Sequence, residues 1–111
     1  MNGLIIKEPW IDLILKGKKT WEIRSSNTKI RGKIYLIKSG SGRIFGEANL
    51  INSFEININQ FKNNTDKHCI HEVDYLPYKK HIYAWVLKNP IKYKTPKPYT
   101  HLRGAVIWVK C

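Results

Sequence analysis

Apolar and polar positions change their period several times along the chain. Leu4 to Lys7 reads as a short strand, and Pro9 then suits a first helical position. Trp10, Leu13 and Ile14 recur at i, i+3 and i+4 until Gly17 caps the end, which predicts a short amphipathic helix over roughly residues 8–16. Thr20 to Arg24 alternates, with Thr20, Glu22 and Arg24 on one face and Trp21 and Ile23 on the other, as a strand does. Three further segments carry β-type patterns: Gly32 to Lys38, Arg43 to Phe54 with Gly46 as a bulge or tight bend, and Ile82 to Tyr93. In the last, Tyr83, Trp85 and Leu87 share one face and Ile82, Ala84 and Val86 the other; alternation does not say which is inside. Ser39-Gly40-Ser41-Gly42 reads as a hairpin turn, with the alternative that its backbone N–H groups hold an anion. Asn59 to Asn64 and Lys67 to Leu76 are expected as short helices. Lys94 to Pro98 is expected as a loop, because each proline lacks a ladder donor, and Gly104 to Lys110 as a closing apolar strand.

Five or six strands and one clear helix in 111 residues predict a single domain, residues 1–111, of mixed α+β but mainly β class. The expected architecture is a small, mostly antiparallel β-barrel with a few peripheral short helices. The hydrophobic fraction of 42% and 13 aromatic residues exclude a disordered basic tail. The formal charge of +12 points to a polyanionic partner, nucleic acid or an acidic lipid surface. With 16 Lys, 4 Arg, 16 Ile and 9 Asn, an AT-rich coding bias is the competing explanation of the total. Position says more than total: from Tyr75 to Cys111 there are 8 basic residues and no acidic one, among seven aromatics.

Cys69 and Cys111 make no disulfide framework, and the first residues lack a secretory apolar region, so a cytoplasmic location is expected. No apolar run is long enough to span a bilayer, and no membrane role is expected. His68, Cys69 and His71 lie close in sequence but lack a second, separated ligand pair; no metal and no other cofactor is expected. The four histidines, His68, His71, His81 and His101, read as surface or loop residues.

Several blocks together resemble the ASCH domain family of the PUA-like superfamily. They are Gly3-Leu4-Ile5-Ile6-Lys7-Glu8-Pro9-Trp10, Gly17-Lys18-Lys19-Thr20-Trp21-Glu22-Ile23-Arg24, Arg31-Gly32-Lys33-Ile34-Tyr35, Tyr83-Ala84-Trp85-Val86-Leu87 and Arg103-Gly104-Ala105-Val106-Ile107-Trp108. The G-x-K-x-x-E-x-R block, Gly17 to Arg24, is the most specific of them. The resemblance implies a PUA-like barrel with a cleft that binds single-stranded RNA or a modified nucleoside. It also implies two hydrolytic alternatives, N4-acetylcytidine amidohydrolase and ribonuclease on single-stranded RNA, besides a protein-interaction module.

Lys7, Trp10, Lys19, Glu22, Arg24, Ser39 and Arg103 are the candidate ligand-binding residues, and Lys19 and Glu22 the catalytic ones if the protein is an enzyme. A carboxylate at Glu22 accepts from an exocyclic amine such as cytosine N4, while Arg24 and the lysines hold phosphate or carbonyl oxygens. The competing account of Glu22 is a structural ion pair with Arg24 or Lys7. Trp10, Trp21, Tyr83, Trp85 and Trp108 are candidates for base stacking; most must be core, with Trp10 the first choice for the site. In the acetylcytidine-hydrolysing members the block looks like K-x-x-T-x-R; Glu22 here stands where they have threonine. Thr20 and the later carboxylates Glu72 and Asp74 are the substitutes on offer, though Thr20 is expected on the strand face opposite Lys19. Ribonuclease chemistry would draw on Lys19, Glu22, Arg24 and His68.

Overall fold

Bulges and alternation along two long strands set the architecture. The computed structural model describes residues 1–71 and 80–111. Its elements are β1 (Asn2–Ile6), α1 (Trp10–Leu15), β2 (Trp21–Arg24), β3 (Gly32–Lys38), β4 (Arg43–Ile56), α2 (Ile58–Lys62), α3 (Thr65–His68), β5 (Ile82–Pro98) and β6 (Trp108–Lys110). The six strands make one sheet in the order β2-β5-β4-β3-β1-β6. Every pairing is antiparallel except β1 with β3.

The class is as expected, mainly β with short helices, but the expected barrel is an open sheet. β2 and β6 are its edges, four and three residues long, and no ladder joins them. The sheet still bends, because β4 and β5 shift register at Ile44/Gly46, Glu47/Asn49 and Leu50/Asn52, and each bulge adds local twist. Bending brings edge strand β2 to β1, where a side chain replaces a ladder: Arg24 Nη2 donates to the Ile5 carbonyl at 2.8 Å. Gly46 belongs to the first bulge as expected, since a Cβ there would collide with the Ile91 carbonyl and approach Leu15 Cδ2 to 2.6 Å. Past the last bulge the burial phase of β4 flips from Leu50 to Ser53, which leaves Ile51 exposed.

Two cores lie on opposite sides of β5. Leu4, Ile6, Ile34, Leu36, Leu50, Trp85 and Leu87 pack with Ile11, Ile14 and Leu15 of α1. Ile82 and Ala84 pack instead with Trp21, Ile23, Ile56 and Phe61. The two faces of β5 could not be ranked from sequence because both are inside. Helix α1 is also wider in its apolar stripe than the predicted i, i+3, i+4 set: Ile11, Ile14 and Leu15 face the core, whereas Trp10 and Leu13 stay half-buried.

Three element boundaries differ from expectation. Lys94 to Pro98 is strand, with Ile44 opposite Lys97 and Arg43 opposite Pro98. Prolines are tolerated there because β2 pairs with β5 only from Tyr83 to Val86, so the distal half of β5 is an edge and needs no donor on its outer side. The closing strand is shorter, Trp108–Lys110, with Val106 75% exposed ahead of it. The helix expected from Lys67 to Leu76 ends at His68, where Cys69 takes a left-handed φ of 62°; its remainder from residue 72 lies outside the described residues.

Candidate functional site

Where β1 and β3 end, α1 and edge strand β2 enclose a cleft of about 1010 Å³. The turn after α1 delivers its central group. Gly17 takes a φ of 78°, a conformation open to glycine, and the Lys18 and Lys19 amides both donate to the Leu13 carbonyl at 3.0 and 3.1 Å. The chain thus reverses over one turn and drives Lys19 inward, where it is 2% exposed. Its ammonium donates to the His68 carbonyl at 2.5 Å, stands 3.8 Å from Glu22 Oε1 and lies 4.9 Å from the centre of the Trp10 ring.

Alternation on β2 supplies the partners. Trp21 and Ile23 point into the second core, and Trp21 meets Phe54 edge-on at 5.5 Å. Glu22 and Arg24, on the other face, line the cleft. Glu22 is buried, and its Oε2 accepts from Arg24 Nε at 3.0 Å and Nη2 at 2.8 Å. The guanidinium packs over Trp85, 5.6 Å from its ring centre, while Trp85 stacks on Trp108 and donates Nε1–H to the Ser26 carbonyl. The ion-pair account of Glu22 is therefore true as far as Arg24 goes, and it leaves Oε1 without a contact of hydrogen-bond length among the described residues.

Burial pulls the Lys19 ammonium below the ordinary lysine range, against the charge of Glu22, which raises it. A lysine in this state gives up its proton more readily than one on the surface, so its neutral amine, the form that can accept a proton, is reached at lower pH.

His68 is not the surface or loop residue expected from sequence: it is fully buried, stacked on Phe61 at 4.2 Å. Its Nδ1 accepts from the Ile70 amide at 2.9 Å, so Nε2 carries the proton and donates to the Phe61 carbonyl at 2.6 Å. Both ring nitrogens are spent, which removes it as a base for ribonuclease chemistry and as a metal ligand. Its contribution to the cleft is its main-chain carbonyl under Lys19. Among the described residues no three His, Cys, Asp or Glu side chains cluster as a metal site would require.

Of the seven candidates, Lys7, Trp10, Lys19, Glu22, Arg24 and Ser39 line the cleft together; Arg103 does not. Arg103 is exposed on the segment between Tyr99 and Ile107. Of the five stacking candidates Trp10 alone is in the lining. Thr20 faces a separate cavity of about 150 Å³ behind Lys19, and Glu72 and Asp74 lie outside the described residues. The Ser41 amide is consumed by the Lys38 carbonyl within the hairpin and the Ser39 amide by the Ile6 carbonyl at the end of β1, which leaves neither for an anion. Sequence reasoning missed Cys69, Ile70, His71 and Val106, which also line the cleft; nothing in their spacing marks them.

The ASCH domain model matches residues 4–97, and the chain belongs to the ASCH domain family, whose members are generally RNA-binding or hydrolase-like. The fold is similar to that of crystal structures of ASCH from Zymomonas mobilis. The wild-type structure has a TM-score of 0.71 at 17% identity, covering 87% of this chain and 72% of that one. A tyrosine-to-phenylalanine variant gives 0.72 at 17% identity over 87% and 74%, and a serine-to-alanine variant 0.72 at 15% over 97% and 85%. No curated protein matches the chain. Among the described residues no helix is long and apolar enough to cross a membrane.

Proposed function

We propose that the cleft binds a base or modified base of single-stranded RNA, with Glu22 reading an exocyclic amine. The observation that carries this reading is the convergence of Lys19, Glu22 and Arg24 on one wall with the Trp10 ring beside them. Glu22 Oε1 accepts from an amine such as cytosine N4; the Lys19 ammonium and the Arg24 guanidinium donate to carbonyl or phosphate oxygens. Trp10 offers a face for stacking, worth ~1–3 kcal/mol per base. Uracil, which presents an oxygen where cytosine presents an amine, puts an acceptor against the carboxylate.

Titration calorimetry with cytidine and uridine tests this. Cytidine is expected to bind at least about tenfold more tightly, equivalent to ~1–3 kcal/mol for an unmade charged hydrogen bond, and Glu22→Gln to erase the difference. Equal binding of both nucleosides, or none by the folded protein, overturns it.

A second reading has its own support in the desolvated Lys19 amine beside a carboxylate. In it the cleft holds an acylated exocyclic amine; Lys19, once neutral, takes a proton from the water that attacks the acyl carbon and returns it to the exocyclic nitrogen as the C–N bond breaks, releasing the carboxylic acid and the free amine. Turnover of N4-acetylcytidine that rises with pH and vanishes in Lys19→Met is the expected signature. Glu22 in place of the threonine of hydrolytic relatives weighs for binding over turnover, so the first reading is preferred.

A further inference from the structure

We propose that the ligand is an oligonucleotide strand rather than a free nucleoside, and that its phosphates run from the cleft onto the distal edge of β5. This rests on the cleft reading above.

The segment that joins β5 to β6 connects the two places. It begins at Tyr99, whose amide donates to the Gly42 carbonyl on the β3–β4 hairpin. It ends at Ile107, whose carbonyl accepts from the Ile5 amide, and Ile5 and Val106 both line the cleft. Arg103 rides on this segment, exposed. On the hairpin side Arg43 is paired with Pro98, which brings Arg43 and Lys97 to adjacent strands at the same end of the sheet as the cleft residue Ser39.

From there the outer edge of β5 is unpaired and carries Lys97, Lys94 and Lys92, all exposed, on the segment that bulges where Ile44 pairs with Lys97 and Gly46 with Lys92. Lys97 Nζ sits 4.8 Å over the Tyr93 ring, which splays its charge beside an aromatic surface. Of the described residues after Lys79 none is acidic. The nearby carboxylates are engaged elsewhere: Glu47 with Lys33 and the Tyr93 hydroxyl, Glu8 and Asp12 with Lys38. Arg43, Lys92, Lys94, Lys97 and Arg103 have no ion pair among the described residues, so their charge is free for an external polyanion. A strand edge that is cationic along its length suits a linear array of phosphates; the exposed apolar side chains beside it, Ile91 on β5 and Leu102, Val106 and Ile107 on the joining segment, make a lipid surface the alternative that the test must separate.

The test compares cytidine with oligocytidylates of three, six and nine nucleotides, for the native protein and for a Lys92→Gln, Lys94→Gln, Lys97→Gln triple variant, across a salt series. Affinity is expected to climb with length in the native protein. The triple variant should lose on the order of tenfold for the nonamer at low salt, with the salt slope shallower by about 2, and keep its affinity for cytidine unchanged. A nonamer that binds no better than cytidine, or a triple variant that binds it as the native protein does, overturns the extended track while leaving the cleft reading intact. Length-dependent binding that Glu22→Gln and Lys19→Met leave untouched, with no binding of cytidine, overturns the cleft reading instead. Sedimentation with phosphatidylserine vesicles that depends on the same three lysines, without length dependence on RNA, assigns the edge to a lipid surface and overturns the track.

Discussion

The cleft and the distal edge of β5 are both basic, and they use charge in opposite ways. In the cleft two cations are packed out of water around one carboxylate, Glu22, so each charge is held at a defined distance by its neighbours. Along β5 the lysines are exposed and unopposed, and their side chains are free to follow whatever approaches. Buried charge of the first kind is dear to maintain and discriminates between ligands; exposed charge of the second kind attracts over a screening length and discriminates little.

Removing the central carboxylate separates the two regions most. Glu22→Ala leaves the Arg24 and Lys19 charges without their shared counter-ion and should cost ~3–5 kcal/mol in urea unfolding, the range for breaking a buried pair. By the same measurement each of Lys92→Gln, Lys94→Gln and Lys97→Gln should stay within ~0.5 kcal/mol.

Next in size is Arg24→Lys. An ammonium cannot reproduce the two bonds to Glu22, the bond to the Ile5 carbonyl and the packing over Trp85 together, so a loss of ~1.5–3 kcal/mol is expected despite the retained charge. Because Arg24 ties edge strand β2 to β1, hydrogen exchange in β2 should quicken more than in β3.

A smaller effect depends on pH. Burial, with the Lys19 and His71 charges, holds His68 below the ordinary value of 6.5 against the raising influence of its Phe61 bond and Asp66. The unfolded chain then binds the proton first, so stability is complete above pH 6.5 and falls as pH drops through the folded value, by at most ~1.4 kcal/mol per pH unit. His68→Gln keeps one donor and one acceptor on the side chain and should flatten this component in unfolding curves taken from pH 7 down to 5. The β5 lysines predict no such feature, and Lys94→Gln is expected to leave the profile unaltered.

Much of the cleft was legible from the Gly17–Arg24 block alone. A glycine that permits a reversed turn, followed by alternation on a strand, necessarily puts Glu22 and Arg24 on one face, and local chain geometry is enough to say so. Lys19 falls at the strand entrance by the same logic. Arg103 shows where that logic stops, since its position relative to the cleft depends on how the whole segment from Tyr99 to Ile107 crosses between the hairpin and β1. His68 shows it again. A histidine in a polar stretch looks like a surface residue until its two nitrogens are seen to meet the Phe61 carbonyl and the Ile70 amide.

The prolines of β5 carry the same lesson. A missing donor forbids a central strand, and that rule holds here. Whether a strand is central is a property of its neighbours, and β2 ends its pairing at Val86. Likewise the sheet stays open because β2 and β6 do not pair, a fact about two distant segments.

Sequence by itself determined the existence of most elements though not their ends, the excess of positive charge and its acid-free C-terminal part, and the grouping of Lys19, Glu22 and Arg24, because each follows from residue type and local periodicity. Tertiary structure alone decided that both faces of β5 are core, how far Lys19 is desolvated, that Trp10 and not Trp85 borders the cleft, and that the outer edge of β5 beyond Val86 is left unpaired. Those outcomes depend on contacts between residues far apart in the chain, and no local pattern encodes them.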